Sequence, residues 1–328
     1  MSSRRRFLQG IGAVSTVGVL AGCTGSTDSS NAGSGDQTTA TTTIATSDSV
    51  PFGDNRATFY MSPSEPQQLM EAQYAPVKTI LQRELPVETA TLRYAAGYSA
   101  VLQSLAGGTG DIAETGPFAA ALGVDNNRCN IILQRYGYGS WTYASVIATR
   151  EDSSIESLAD LEGERVAFAD RLSASGALYP LFMLKQAGLN IGNLPTDSGD
   201  TSFTAQFSSH AEAFAALERG QVAAAGVGKF ITLDDNRELK NGFQYIETTT
   251  SIPRAPIVVS PELSADEQTA IKDALLTANE SIYVGEDGEP DTDDDLWFSD
   301  VREADDETYQ PVVDVANELG VTTDLLDS

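Results

Sequence analysis

The chain has 328 residues, of which 41% are hydrophobic and 20% are charged. Its 20 Lys and Arg against 47 Asp and Glu give a formal net charge of −27, which repels phosphate backbones and argues against nucleic-acid binding. One His and two Cys exclude a conventional His/Cys zinc cage, and we expect neither a metal nor a cofactor.

The acidic residues are spread along the chain, and few of the basic residues are Lys. An acidic surface poor in Lys is typical of proteins in concentrated salt, where a Debye length of about 3 Å at 1 M screens self-repulsion. We therefore expect a halophilic, haloarchaeal source, with an ordinary acidic protein as the alternative.

The first 22 residues have the features of an export signal. Consecutive arginines from Arg4 to Arg6 precede a short apolar run, as in twin-arginine signals. The run is shorter than the ~20 residues of a membrane-spanning helix. It ends in Leu-Ala-Gly-Cys, which resembles a lipobox, so Cys23 is the expected lipid attachment site. Residues 23–50 are nearly all small or polar and predict a disordered tether, so we expect a lipid anchor at the outer face of the cell membrane.

Strand and helix signals alternate in the rest of the chain, which predicts an α/β architecture with largely parallel sheets. We predict strands over 57–61, 89–95, 111–113, 131–134, 143–149, 166–169, 201–207, 222–227, 243–247 and 256–259. We predict helices over 67–85, 99–105, 176–187, 211–219, 265–278 and 309–319, with a further helix that begins at Pro117. Cys129 lies in an apolar segment, where we expect a small buried residue and no disulfide.

Three strand-to-helix corners carry residues suited to an anion, because helix N-termini offer free N–H groups and a partial positive charge. The corners are Gly97–Ser99, Thr115–Pro117 and Leu172–Gly176. Ordinary helix capping explains the same residue types. The single His, His210, begins a helix, where it is either a packed residue or a neutral donor to an anion.

Several segments, taken in their order and spacing, resemble the substrate-binding components of phosphonate, phosphite and phosphate ABC transporters, a PhnD-like family. They are Gly97–Val101, Asp111–Ala113, Ser173–Gly176, His210 with Ala215–Val222, Ile252–Val259 and Asp305–Tyr309. The resemblance covers roughly residues 51–320. It implies a type II periplasmic-binding-protein fold, with two α/β lobes joined by two hinge strands. Lobe one would comprise residues 52–147 plus 255–328 and lobe two 148–254, with crossings near 146–149 and 252–258.

The resemblance also implies a ligand cleft lined by a Tyr, by the hydroxyls of a Ser-rich turn and by the His. Together with the corners, this gives a predicted ligand-binding set of Tyr98, Ser99, Glu114, Thr115, Gly116, Ser173, Ala174, Ser175, Gly176 and His210. Members that bind aminoethylphosphonate would hold its ammonium group with carboxylates where this chain has Ala211 and Ala255. We therefore expect phosphite, phosphate or a small alkylphosphonate.

The sequence leaves the roles of two charged residues undecided. Glu114 either accepts a proton-bearing ligand oxygen or replaces the missing ammonium partner. Arg254 either adds positive charge at the hinge or is a solvated side chain.

The implied function is that of a monomeric, extracytoplasmic solute-binding protein that delivers an oxyanion to the permease and ATPase subunits of an importer. Another small anion, a structural lipoprotein and a surface-anchored hydrolase are the alternatives. The hydrolase alternative is disfavoured because the sequence has no Gly-x-Ser-x-Gly nucleophile elbow. His210 is also the one residue of the usual kind that could act as the general base. Asp291–Asp295 loosely resembles a calcium loop but lacks its glycine and terminal Glu, so we expect a solvated acidic loop.

Overall fold

The computed structural model describes residues 55–197, 199–234, 236–321 and 323–327. The predicted export signal, Cys23 and the tether lie outside the described residues. The strands are β1 (Arg56–Met61), β2 (Thr89–Tyr94), β3 (Ile112–Glu114), β4 (Asn130–Tyr136), β5 (Thr142–Arg150), β6 (Arg165–Phe168), β7 (Thr204–Phe207), β8 (Ala224–Gly228), β9 (Phe243–Pro253), β10 (Pro256–Val259) and β11 (Asp300–Glu303).

The helices alternate with these strands over most of the chain. They are α1 (Gln67–Glu84), α2 (Tyr98–Ala106), α3 (Pro117–Asp125), α4 (Tyr179–Gln186), α5 (His210–Glu218), α6 (Ala265–Leu276) and α7 (Gln310–Leu319). Short 3-10 helices span Leu158–Leu161, Lys229–Thr232, Glu280–Ile282, Glu307–Tyr309 and Thr323–Asp327, and a π-helical turn spans Ala174–Leu178. None of the described helices has both the length and the apolar character needed to cross a membrane.

The strands form two sheets, with the orders β11-β4-β10-β3-β1-β2 and β7-β6-β8-β5-β9. Both sheets are mixed, although the sequence predicted largely parallel pairing. β1 is parallel to β2 and β3, and β6 is parallel to β7 and β8. In contrast, β10 is antiparallel to β3 and β4, and β5 is antiparallel to β8 and β9. The antiparallel pairs involve strands next to the points where the chain passes from one sheet to the other. Antiparallel neighbours do not need the long crossover connection that parallel neighbours require.

The chain leaves the first sheet between Tyr136 and Thr142 and returns to it between Pro253 and Pro256. The lobe boundaries expected at residues 147 and 255 stay a prediction. All of β5 pairs within the second sheet, so residues 142–147 lie there.

Helices cover both faces of each sheet, and this explains why several strands are apolar on both sides. In the first sheet, α1 and α6 pack on one face and α2, α3 and α7 on the other. In the second sheet, α4 and α5 pack on opposite faces. Cys129 is confirmed as a small buried residue with a free thiol, and burial raises its pKa to about 12.

Local sequence signals explain most element boundaries. Ser264 caps α6 in a capping box with Glu267, as predicted. The helix predicted over 176–187 instead has a π-helical first turn, and α4 follows it with Pro180 near its start, where a missing N–H costs nothing. Strand β11 was not predicted, because three of its four side chains are exposed and the segment lacks an apolar pattern.

Candidate functional site

A cavity of about 140 Å³ lies among loops that follow strands of both sheets. From the first sheet, the segment after β3 supplies Thr115 and Gly116; from the second, the segment after β6 supplies Ser173 to Ser175. Strand carboxyl ends that lead into helix N-termini are the usual ligand sites of such sheets. Of the predicted set, the lining residues are Tyr98, Glu114, Thr115, Gly116, Ser173, Ala174, Ser175 and His210.

The other two predicted residues do not line this cavity. Ser99 lines a neighbouring cavity of about 410 Å³, which shares Ser64, Tyr98 and His210 with the first. Gly176 lies behind the lining, where a Cβ would collide with Ala169 and His210. Its lack of a side chain lets the turn pack against the imidazole.

The hydrogen bonds of Ser173 and of its neighbour His210 determine which atom of the Ser173 hydroxyl is free to bind a ligand. The Gly228 N–H donates to His210 Nδ1 at 3.1 Å, so the proton of the neutral ring is on Nε2. Nε2–H donates to Ser173 Oγ at 3.0 Å, and the Gly176 N–H donates to the same oxygen at 3.1 Å. Both lone pairs of this hydroxyl are therefore used, and its proton is left to donate into the cavity.

His210 is accordingly neutral and acts on a neighbouring side chain. Burial lowers its pKa from 6.5 to about 4. A serine hydrolase needs a lone pair on the nitrogen that faces its nucleophile, with the other nitrogen donating to a carboxylate. Here the proton is on the nitrogen that faces Ser173, so this arrangement does not supply a general base.

Ser175 lies on the same turn and is held by the strand behind it. Its carbonyl accepts a hydrogen bond from Ser145 Oγ at 2.7 Å. Its side chain and backbone also hydrogen-bond Tyr143, whose hydroxyl pKa burial raises to about 12. Tyr143 lines the cavity and remains a neutral phenol.

Thr115 provides a donor from the other sheet. Its side chain is completely buried, and its hydroxyl has no hydrogen-bond partner among the described residues. It lies next to Gly116, the residue that precedes α3, and both residues line the cavity. A buried hydroxyl without a partner is costly, so a ligand oxygen at this position would stabilise the site.

The Glu114 carboxylate is largely engaged within the protein. One oxygen accepts hydrogen bonds from the Ser62 N–H and hydroxyl, and the other pairs with Arg135 Nη2 at 3.1 Å. Both side chains of this ion pair are buried. Arg135 also donates to the Tyr74 hydroxyl at 2.9 Å and to the Ala255 carbonyl at 3.1 Å. The arrangement favours a structural ion pair over a free ligand-binding carboxylate.

The sequence interpretation missed several lining residues, including Ser62, Arg135, Tyr138, Tyr143, Phe230 and Trp297. The signal for Arg135 was a charged residue at the end of an apolar strand. The sequence pattern identified Tyr138 and Phe230 less clearly as lining residues. In the described part of the chain, they are the large hydrophobic residues that remain exposed.

The acidic loop around Asp294 uses carboxylates to hold its own backbone. Asp294 accepts hydrogen bonds from the N–H groups of Glu286 and Asp287 and from the Thr292 hydroxyl. Over the described ranges, no group of three or more His, Cys, Asp or Glu is positioned to hold a metal ion.

Residues 59–309 match the profile of a family described as the periplasmic substrate-binding protein of phosphonate ABC transporters. The chain belongs to this family. Its members are solute-binding proteins rather than enzymes, which agrees with the proton position on His210.

The PhnD phosphate-import protein of Mycolicibacterium smegmatis is 26% identical over 131 residues, which is 39% of this chain and 40% of that protein. The match therefore spans less than half of that curated relative. A binding-protein component of an ABC phosphonate transporter from Pseudomonas aeruginosa superposes with a TM-score of 0.65 at 20% identity, over 81% of this chain and 86% of that chain.

PhnD1 from Prochlorococcus marinus, solved in complex with methylphosphonate, also has a TM-score of 0.65, at 15% identity over 82% of this chain and all of that one. These similarities confirm the predicted α/β fold of the type II periplasmic-binding class.

Proposed function

We propose that this protein is the extracytoplasmic solute-binding component of an ABC importer and that it captures a phosphonate, phosphite or phosphate oxyanion in the cavity. The observation that carries the proposal is a pair of hydroxyl donors that line the cavity from segments after strands of different sheets. Thr115 has a buried hydroxyl without a partner, and Ser173 has a proton free because both its lone pairs are occupied. Such donors suit an oxyanion, which offers acceptors only.

The donors belong to different sheets, and this suggests how capture works. An anion binds first to one half-site, and closure of the two lobes adds donors from the other. Neutral donors held in position and kept dry bind an anion strongly because they need no reorganisation. The closed protein then docks on the permease, whose transport cycle is driven by an ATPase subunit.

The ligand should be a simple oxyanion or an organophosphonate without an ammonium group. Glu114 is paired with Arg135, and Ala255 lines the cavity where the resemblance places a carboxylate in amine-binding relatives. Methylphosphonate and phosphate are the ligands in the names of two similar proteins. Both fit this donor set.

Export and anchoring complete the proposal. The arginines from Arg4 and the Leu-Ala-Gly-Cys segment support twin-arginine export followed by lipid attachment at Cys23. Residues 24–50 would then tether a monomeric binding unit to the outer face of the membrane.

Calorimetric titration of the chain in molar KCl, with phosphate, phosphite, methylphosphonate and 2-aminoethylphosphonate, tests the proposal. We expect one of the first three anions to bind most tightly. Thr115→Val and Ser173→Ala should each raise its Kd roughly tenfold to a hundredfold, since a hydrogen bond to a charged group contributes about 1.5–3 kcal/mol.

Thr277→Val is the matched control, because Thr277 is exposed at the end of α6 and bonds only its own helix. It should bind like the wild type. Absence of binding to the folded wild type, or wild-type affinity in Thr115→Val, would contradict the proposal.

A further inference from the structure

Arg254 lies in the two-residue connection between β9 and β10, where the chain returns to the first sheet, and its side chain lines the cavity. Three hydrogen bonds fix it. Its N–H donates to the Trp141 carbonyl at 2.9 Å, its carbonyl accepts from the Tyr309 hydroxyl at 2.7 Å, and its Nε–H donates to the Ser140 carbonyl at 2.9 Å. The guanidinium is therefore held in position before any ligand binds.

Aromatic rings surround this guanidinium. The centroids of Tyr138, Tyr143 and Trp297 lie 5.4, 5.9 and 5.5 Å from its central carbon. Rings at these distances attract a guanidinium through cation–π interactions, and the hydrogen bond to Ser140 uses Nε rather than the Nη atoms. Arg254 is only half-buried, so a ligand in the cavity can reach it.

The charge of Arg254 has no carboxylate partner among the described residues. Arg135, which lines the same cavity, is neutralised by Glu114 at 3.1 Å. The remaining acid of the lining, Glu65, accepts a hydrogen bond from Gln73 at 2.8 Å and forms no ion pair with Arg254. Burial lowers the pKa of Arg254, and the charges of Arg237 and Arg135 act in the same direction. An anionic group placed here would relieve this uncompensated charge.

The cavity also extends beyond the two hydroxyls. Its volume of about 140 Å³ corresponds to roughly four or five waters at the ~30 Å³ that each takes up in the liquid, and its lining includes Arg254, Tyr138 and Trp297 as well as Thr115 and Ser173. The hydroxyls of Thr115 and Ser173 account for the oxyanion, and the remaining space is bounded by Arg254 and its aromatic neighbours.

We propose that Arg254 selects ligands by the charge of the group attached to phosphorus, so that the preferred ligand is a phosphonate whose substituent ends in a carboxylate. The guanidinium fork matches a carboxylate with two parallel hydrogen bonds. A neutral substituent gains less at this position, and an ammonium group is repelled. The inference rests on the proposed function, because it assumes that the phosphonate oxygens occupy the hydroxyl end of the cavity.

The test compares three phosphonates of similar length: phosphonoacetate, propylphosphonate and 2-aminoethylphosphonate, with methylphosphonate as the reference for the oxyanion end. Calorimetry on the wild type should show phosphonoacetate binding about tenfold more tightly than propylphosphonate, with 2-aminoethylphosphonate the weakest, as expected for a charge-assisted pair. Arg254→Gln should remove this ranking and weaken the binding of phosphonoacetate more than that of methylphosphonate. Arg254→Glu should reverse the ranking.

Arg302→Gln is the matched control, because Arg302 packs on Trp141 with 4.2 Å between its central carbon and the ring centroid and does not line the cavity. It should keep the wild-type ranking. Equal wild-type affinities for the three ligands, or an equal loss of methylphosphonate and phosphonoacetate in Arg254→Gln, overturn the inference while the proposed function stands. A folded wild type that binds none of the four overturns both.

Discussion

At the scale of single residues, His210 controls the site through Ser173. The Gly228 N–H determines the imidazole tautomer, and the imidazole in turn makes the Ser173 hydroxyl a donor. Because the ring is held neutral, the site can bind an anion without a titrating His in contact with it. His210 is thus a positioning residue in this structure rather than a free N–H donor.

The stability of the protein should reflect this neutral imidazole. The pKa of His210 is lowered in the fold from 6.5 to about 4, so the unfolded chain binds a proton first as the pH falls. The stabilisation is complete above pH 6.5 and is lost as the pH falls toward 4. In urea unfolding, the difference in free energy of unfolding between wild type and His210→Gln should therefore shrink over this interval.

Both proteins carry the same carboxylates, so subtraction removes their contribution. A difference that stays constant from pH 7 to 4.5 would contradict a buried neutral ring. Gln can still donate toward Ser173, so methylphosphonate affinity at pH 7 should change less in His210→Gln than in His210→Ala.

The residues of the site were only partly predictable from the sequence. Thr115, Ser173 and Ser175 could be found because hydroxyls at strand-to-helix corners have a local signature. The direction of the His210 hydrogen bond could not, because it depends on Gly228, which a strand brings from 18 positions away. For Arg254 the sequence left open a charge at the hinge or a solvated side chain, since its place in the cavity depends on contacts with Trp141 and Tyr309.

At the scale of elements, the Glu114–Arg135 pair links β3 and β4, which lie on either side of β10. The Arg135 guanidinium also packs against Trp297, 4.7 Å from the ring centroid, and Phe298, 5.3 Å from it. The pair therefore connects the part of the cavity lining that Glu114 and Arg135 form to the segment before β11. Sequence periodicity identified β3 and β4 but not this pairing, because pairing requires the strand order.

Removing one partner of this pair should be strongly destabilising. Glu114→Gln leaves the Arg135 charge buried without its carboxylate, and we expect a loss of roughly 3–5 kcal/mol in the free energy of unfolding. Arg135→Met should cost a similar amount, because it isolates Glu114. The double variant should lose less than the sum of the two, with a coupling above about 1 kcal/mol in a urea-denaturation cycle.

Additive losses in that cycle would show that the two side chains do not stabilise each other. A Glu114→Gln protein of wild-type stability that binds methylphosphonate much more weakly would instead assign Glu114 to the ligand. The exposed pair of Lys272 and Glu303, 2.9 Å apart, is the control, and its cycle should give a coupling below about 1 kcal/mol.

At the scale of the whole molecule, the cavity depends on the two sheets being held against each other. Tyr138 follows the first sheet and Arg237 belongs to the segment after β8, and their stacking contact joins the two halves beside the cavity. The resemblance found in the sequence predicted this two-lobed plan. The exact crossing points were harder to predict, because β5 and β9 are long strands whose irregular pairing near the hinge, a register shift between Tyr143 and Ser145, has no local sequence signal.

The net charge of −27 acts on this whole structure, and it should make stability depend on salt. Like charges destabilise a compact state, and raising KCl from about 0.1 M to 1 M shortens the Debye length from about 10 Å to 3 Å. We expect the Tm to rise steadily over this range.

The variant Glu286→Gln, Glu289→Gln, Asp291→Asn removes three exposed charges whose side chains make no described contact. It should unfold roughly 2 °C higher than wild type at low salt, as expected for a gain of about 1 kcal/mol, and at the wild-type temperature in molar KCl. An equal gain at both salt concentrations would mean that the three substitutions act locally, and self-repulsion would then not be what the salt relieves.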